Sequence, residues 1–336
     1  MSSINNQVRL AARPSGLPQA SDWDFTQEPV PTPGDGQFVA QSYFISLDPA
    51  MRGWMNEGRS YVAPVEIGQV MRAGGIGRVL ASRNPKFSEG DHVVGMFGVQ
   101  EYAMSDGKGL NKVDPNLAPL PVYLGALGMP GVTAYFGLLD VCDPKPGETV
   151  VVSAASGAVG MVVGQIAKIK QCRAIGIAGG KEKCDCTLRD YGYAAAIDYK
   201  SENVSQALRK HCPNGINIYF DNVGGEILDN VLAQLARRAR VSICGAISQY
   251  NSTEGVKGPS NYLSLLVNHA KMEGFVVTDY AERWGEAIRE LAGWYASGKL
   301  KTREDVVAGL ETFPDTLLKL FRGENFGKLV IKVGGA

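Results

Sequence analysis

The stretch from Glu148 to Lys168, ETVVVSAASGAVGMVVGQIAK, decides how the rest of the chain is read. It opens on a β-branched apolar run, passes through a loop of small residues and closes on an apolar helical pattern. A strand-to-helix turn of this kind is where the G-x-G-x-x-G fingerprint of dinucleotide-binding folds falls. Here Ala155 holds the first glycine position, and Gly157 and Gly160 hold the second and third. The three glycines serve a tight turn, close approach of backbone to a pyrophosphate, and close packing of helix on strand. Ala155 is a cost at the first of these only. The backbone N–H groups and positive helix end at Gly157, Ala158, Val159 and Gly160 stay available to a diphosphate.

Around this turn the apolar runs TVVVSA, RAIGIA, AAIDY, INIYFDN, RVSICG and MEGFVV alternate with helical patterns at 159–170, 181–191, 202–212, 225–237 and 281–297. Six strands with crossover helices predict an α/β fold with a complete doubly wound parallel sheet. Up to about residue 120 the texture differs. Short alternating runs such as QFVAQSYFISLDP, GIGRVLAS and GDHVVGM, broken by Gly and Pro, predict short strands in a partly open β-barrel. After Gly298 the pattern predicts one amphipathic helix and a last strand, with no place in a sheet already holding six.

Which dinucleotide binds is decided at the end of the second strand of that sheet, where an acid would hold the ribose hydroxyls of NAD. This chain has Ala178, Gly179 and Gly180 there, followed by Lys181 and Lys183. A missing acid and added base favour NADPH/NADP, although two lysines at a helix start can equally be solvated charges.

With 34 basic and 34 acidic residues in 336, the chain offers no electrostatic argument for nucleic acid or an anionic membrane. A neutral small molecule suits it better. The first twenty residues lack the apolar core of a signal peptide and no later segment runs eighteen apolar residues unbroken, so a cytoplasmic protein is expected. Six cysteines, all in the second half, follow a reduced-thiol pattern. Cys184 and Cys186, two apart on a predicted helix, do not make a metal pair.

The motifs LDPAMRG (47–53), GMPGVTAYFGL (128–138), AASGAVG (154–160), FDNVGG (220–225), CGAISQYN (244–251), MEGFVV (272–277) and GENFGKLV (323–330) occur in one order along the chain. In them the protein resembles the medium-chain dehydrogenase/reductase superfamily over essentially its full length. Most similar are its zinc-independent double-bond reductases: the prostaglandin reductase and leukotriene hydroxydehydrogenase group, plant alkenal reductases and bacterial curcumin reductase. The resemblance implies a GroES-like domain of residues 1–126 and 304–336, completed by the C-terminal tail, and a Rossmann domain of residues 127–303. It also implies a homodimer. The superfamily's zinc enzymes carry a histidine and a glutamate where this chain has Gln69 and Val70, and its first lobe has no cysteine, so no metal is expected. His92, alone within a strand pattern, reads as structural.

Without a Lewis acid, an activated C=C bond is an easier hydride acceptor than a carbonyl, because the arriving charge delocalises as an enolate. The resemblance implies hydride delivery from NADPH to the β-carbon of an enone or enal, then protonation of the α-carbon. Carried over position by position, it implies cofactor contacts at Gly157–Gly160, Lys183 and Tyr199 at the 2′-phosphate, and Asn222. Further contacts fall on Cys244, Gly245, Ala246, Ile247, Ser248 and Tyr250, on Phe275, Val276 and Val277, and on Asn325 in the tail. The pocket positions are Ala50, Arg52, Tyr61 and Val267. Ala50 and Val267 stand where relatives carry tyrosines, which predicts a wider, more apolar cleft. Tyr61 and Tyr250 remain as candidate catalytic donors, since a phenol titrating near about 10 is protonated at neutral pH. A quinone reductase of the same superfamily and a non-catalytic NADPH-binding protein are the alternatives.

Overall fold

The computed structural model describes residues 4–334. Two compact units result: one runs to Leu124 and resumes at Glu304, and the other spans Gly125–Arg303.

In the first unit a ribbon of β1 (Ile4–Leu10) and β2 (Trp23–Pro29) accompanies a larger sheet. That sheet collects β3 (Phe38–Ser46), β4 (Gly74–Ser82), β5 (His92–Met96), β6 (Tyr102–Ser105) and β7 (Asn111–Val113). The short helix α1 (Met51–Trp54) follows β3.

The second unit begins with α2 (Met129–Leu139) and then alternates strand and helix. In order come β8 (Thr149–Ser153), α3 (Gly160–Ile169), β9 (Arg173–Ala178), α4 (Lys181–Arg189) and β10 (Ala195–Asp198). There follow α5 (Val204–His211), β11 (Ile216–Asp221), α6 (Gly225–Leu232) and β12 (Leu235–Ile243). The unit closes with α7 (Leu263–Val267), β13 (Lys271–Gly274) and α8 (Trp284–Ala296). Its sheet has the order β10-β9-β8-β11-β12-β13 with every pair parallel, the doubly wound arrangement. The inner strands are buried on both faces, as parallel strands covered by helices are, so Val150–Ser153 and Ala174–Ala178 read as unbroken apolar runs.

The tail returns to the first unit and differs from the sequence expectation. It carries β14 (Glu304–Ala308), α9 (Phe313–Arg322) and β15 (Lys328–Lys332), so two strands flank the helix rather than one following it. Strands β14 and β15 pair in parallel, and β15 joins β3, giving the order β14-β15-β3-β4-β5-β7 with β6 on β3. An edge strand that begins Glu-Asp and stays half exposed has no apolar alternation to betray it. A second correction concerns α6, which stops at Leu232 where the helical pattern ran on to 237. Strand β12 starts at Leu235 and is bulged around Arg238, whose φ is +60°, so the strand's period of two is broken where it would have been read.

Candidate active site

Because all six strands of the second unit are parallel, their C-terminal ends share one edge of the sheet, where doubly wound folds bind ligands. The loops at residues 154–160, 179–183, 199, 222–225 and 244–250 all leave from that edge.

The first loop is set by β8. Ala155 stays paired to the neighbouring strand through its N–H to Ile177 O (3.0 Å), and Gly157 N donates to Ala154 O (2.9 Å). The left-handed residue of this turn is Ala154, at φ +49°, and not Ala155, so the alanine at the first fingerprint position causes no backbone strain. The third glycine is indispensable: a Cβ on Gly160 would lie 2.3 Å from Ala154 O. From Gly160 the helix runs beneath Tyr193, whose buried hydroxyl donates to Gly160 O (2.6 Å).

At the end of β9, Gly179 makes room for an aromatic ring. A Cβ there would approach the Tyr199 ring at 2.8 Å, and Tyr199 N donates to Ala178 O (3.2 Å). Gly180, at φ +95°, donates its N–H to Asp198 Oδ1 (2.7 Å) and starts α4. Lys181 is turned onto Asp185 at 2.5 Å, while Lys183 stands half a turn further along. The edge therefore offers helix N-termini at α3 and α4, two glycines rather than an acid directly after Ala178, a half-exposed tyrosine and a first-turn lysine. These features fit a dinucleotide bearing a 2′-phosphate.

The other half of the edge is a set of loops bonded to one another. Asn222 donates its N–H to Ser153 Oγ (2.9 Å) and its side-chain amide to Ser153 O (2.8 Å). Ile247 N reaches Asn222 O (3.3 Å), and Ser248 Oγ donates to Val223 O (2.6 Å). Tyr250 folds back so that its hydroxyl accepts from Ala246 N–H (3.1 Å) and crowds Gly245, where a Cβ would meet it at 2.8 Å. Burial, and after it Asp221, pushes the Cys244 thiol up to about 12, which removes it as a thiolate nucleophile. Phe275 packs its ring on Phe220 with centroids 6.3 Å apart and fills the space left by Gly137; Val276 and Val277 follow it, half buried.

The remaining candidates are Tyr61, Asn325, Ala50 and Arg52 of the first unit and Val267 of the second. Tyr61 is 59% exposed on a loop of the first unit, and Asn325, in the same unit, donates to Gly327 O (3.2 Å). Ala50 is half buried against the core around Met51 and Trp54. Arg52 is 4% exposed, and its guanidinium donates to Gly16 O and Pro14 O (both 3.0 Å) and to Asn56 Oδ1 (2.5 Å). Val267 is 74% exposed on α7, beside Leu263 and Leu266. Gln69 caps its own turn by accepting from Glu66 N (3.2 Å), and Val70 bridges to Arg9. His92 sits on β5 against the Tyr43 ring. Among the described residues no group of three or more His, Cys, Asp or Glu could hold a metal ion, and no helix is long and apolar enough to cross a membrane.

Two motif residues acquire roles that the sequence reading did not assign. Lys328, 1% exposed, donates to Leu47 O (2.9 Å) and pairs with Asp48 Oδ1 (2.6 Å), so the tail motif GENFGKLV is locked to LDPAMRG. The available signal was one charge set inside each of two apolar runs.

Residues 6–113 match a family model described as the N-terminal domain of oxidoreductase, and residues 158–293 one described as zinc-binding dehydrogenase. The chain is 43% identical over 336 residues to the NADPH-dependent curcumin reductase of Escherichia coli (strain K12), covering 98% of this chain and 97% of that protein. It is 42% identical over 336 residues to the 2-alkenal reductase (NADP(+)-dependent) of Nicotiana tabacum, again with 98% and 97% covered. The chain belongs to the zinc-independent double-bond reductases of the medium-chain dehydrogenase/reductase superfamily. The crystal structure of CurA in complex with NADPH from Vibrio vulnificus matches this double-bond reductase with a TM-score of 0.93 at 45% identity, over 98% of this chain and 100% of that one. The Escherichia coli quinone oxidoreductase complexed with NADPH, at 19% identity and a TM-score of 0.77, shares the fold alone.

Proposed function

We propose that this protein uses NADPH to reduce the C=C bond of α,β-unsaturated ketones and aldehydes. The observation that carries the reading is the β9 end: Gly179 seats Tyr199 where an NAD-type acid would stand, in a chain 43% identical to a curcumin reductase along its length. Bound NADPH supplies a hydride that the β-carbon of an enone accepts. The protein's part is to hold and polarise. The 157–160 loop receives the pyrophosphate on the backbone N–H groups of residues 158–160, that of Gly157 being held by Ala154 O, and Lys183 with Tyr199 meets the 2′-phosphate. Loop 244–250 and Asn222 carry the other half of the cofactor. Tyr61 Oη or Tyr250 Oη donates to the carbonyl oxygen as negative charge gathers there. The Tyr250 hydroxyl accepts from Ala246 N–H (3.1 Å). Ala50 in place of a bulky ring favours aryl enones over the smallest enals.

The protein also forms a homodimer in this proposal. Strand β13 ends the sheet with all four residues exposed, and beside it α7 presents Leu263, Leu266 and Val267, with Tyr262 preceding them. An open parallel edge flanked by apolar side chains suits a second copy about a two-fold axis.

The test is NADPH consumption with short enals, aryl enones and quinones, followed by product analysis. The saturated ketone is expected. An allylic alcohol, or turnover of quinones alone, would overturn the reading. Tyr→Phe at position 61 or 250 should lower kcat about a hundredfold, with the KM for NADPH unchanged in the position 61 variant.

A further inference from the structure

Asp221 closes β11 and is 1% exposed, yet nothing in the mechanism above uses it. Its Oδ1 accepts four hydrogen bonds: from Tyr219 Oη (2.8 Å), Ser153 Oγ (3.1 Å), Val223 N (2.9 Å) and Gly224 N (2.9 Å). Its backbone carbonyl accepts two more, from Cys244 N (2.9 Å) and Gly245 N (3.1 Å). Among the described residues none bonds Oδ2, which is buried. Ser153, fully buried, relays the arrangement to Asn222 through both its hydroxyl and its carbonyl. The carboxylate thus ties the end of β8 to the loop that follows β11, and the backbone carbonyl of the same residue holds the loop that follows β12. Burying a charge at such a junction is costly, and four donors on a single oxygen are what make it tolerable. A purely structural anchor could have been built from apolar residues at lower cost.

We propose that Asp221 is a positioning residue for the half of the cofactor that bears the nicotinamide. This rests on the NADPH reading above. In the strand order β10-β9-β8-β11-β12-β13, Tyr199 follows β10 and Lys183 follows β9 on one side of β8, while the loops gathered by Asp221 and Ser153 lie at β8 and on its other side. Removing the carboxylate therefore loosens the nicotinamide side of the cradle and leaves the 2′-phosphate side in place.

The test compares the binding of NADPH and of 2′,5′-ADP, which carries only the adenosine and phosphate end, to wild type, Asp221→Ala, Asp221→Asn and Ser153→Ala by calorimetry. Asp221→Ala and Ser153→Ala should raise the Kd for NADPH about tenfold or more, the size of one lost hydrogen bond, with 2′,5′-ADP unchanged. Asp221→Asn keeps an acceptor for the four donors and should restore NADPH affinity to within about threefold, less than half of that tenfold step on a logarithmic scale. Equal losses for both ligands in Ser153→Ala, no loss in either alanine variant, or an asparagine variant as weak as the alanine one would overturn the proposal. A wild type that binds neither ligand would instead overturn the NADPH reading itself.

Discussion

Lys183 bears the sharpest single-residue expectation. If it meets the 2′-phosphate, Lys183→Ala removes a charge-assisted hydrogen bond of roughly 1.5 to 3 kcal/mol and raises the NADPH KM about ten- to a hundredfold. Steady-state kinetics with NADH should barely change, and equal losses with both cofactors would assign the lysine to the fold. Lys181, spent on Asp185, should be silent in the same assay. The chemistry at this position was legible in the sequence because it is written as an absence followed by a charge. What stayed hidden was why two glycines stand there: Gly179 is a seat for a ring twenty residues away, and only the pairing of β9 with β10 brings the two together. Arg52 shows the reverse: nothing in its motif announces the hydrogen bonds to Gly16 O, Pro14 O and Asn56 Oδ1 that hold its guanidinium.

At the level of elements, strand and helix identity followed hydrophobic period wherever burial was one-sided or complete, and failed where charge or a bulge hid the period, at β14 and at the start of β12. Long-range ties between elements leave no local pattern at all. Arg240 on β12 forks onto Glu148, just before β8, with both nitrogen-to-oxygen distances at 2.7 Å, and also bonds Cys142 O and Asp143 O. Burial pushes the Glu148 carboxyl up, but its hydrogen bonds to Arg240 and to Lys145 N–H outweigh this and hold it below the usual range. A folded-state value below the unfolded one means stability that is fully present above about pH 4.3 and is lost as pH falls through the folded value. Glu148→Gln should therefore cost roughly 1 to 3 kcal/mol at pH 7, with the gap to wild type closing in denaturant titrations below about pH 4. A gap that is constant with pH would mean that the carboxylate charge contributes nothing.

For the molecule as a whole, the dimer proposal is checked by light scattering. Wild type should run near twice the 36.0 kDa chain mass, and Leu266→Lys, a charge on the exposed face of α7, should shift it toward monomer with the fold intact by circular dichroism. An unchanged mass would move the interface elsewhere. The change of texture near residue 125 marks the start of the second unit, while the return of the tail followed from a strand count that left it no place in the second sheet, and from resemblance. That return sets an order of events during synthesis. The second unit is one uninterrupted segment and can fold as soon as Arg303 has emerged, whereas β3 lacks its neighbour β15, and Asp48 its buried lysine, until residues 328–332 follow. The part of the chain made first is finished last, and until then a buried-to-be carboxylate and an open sheet edge must wait in water.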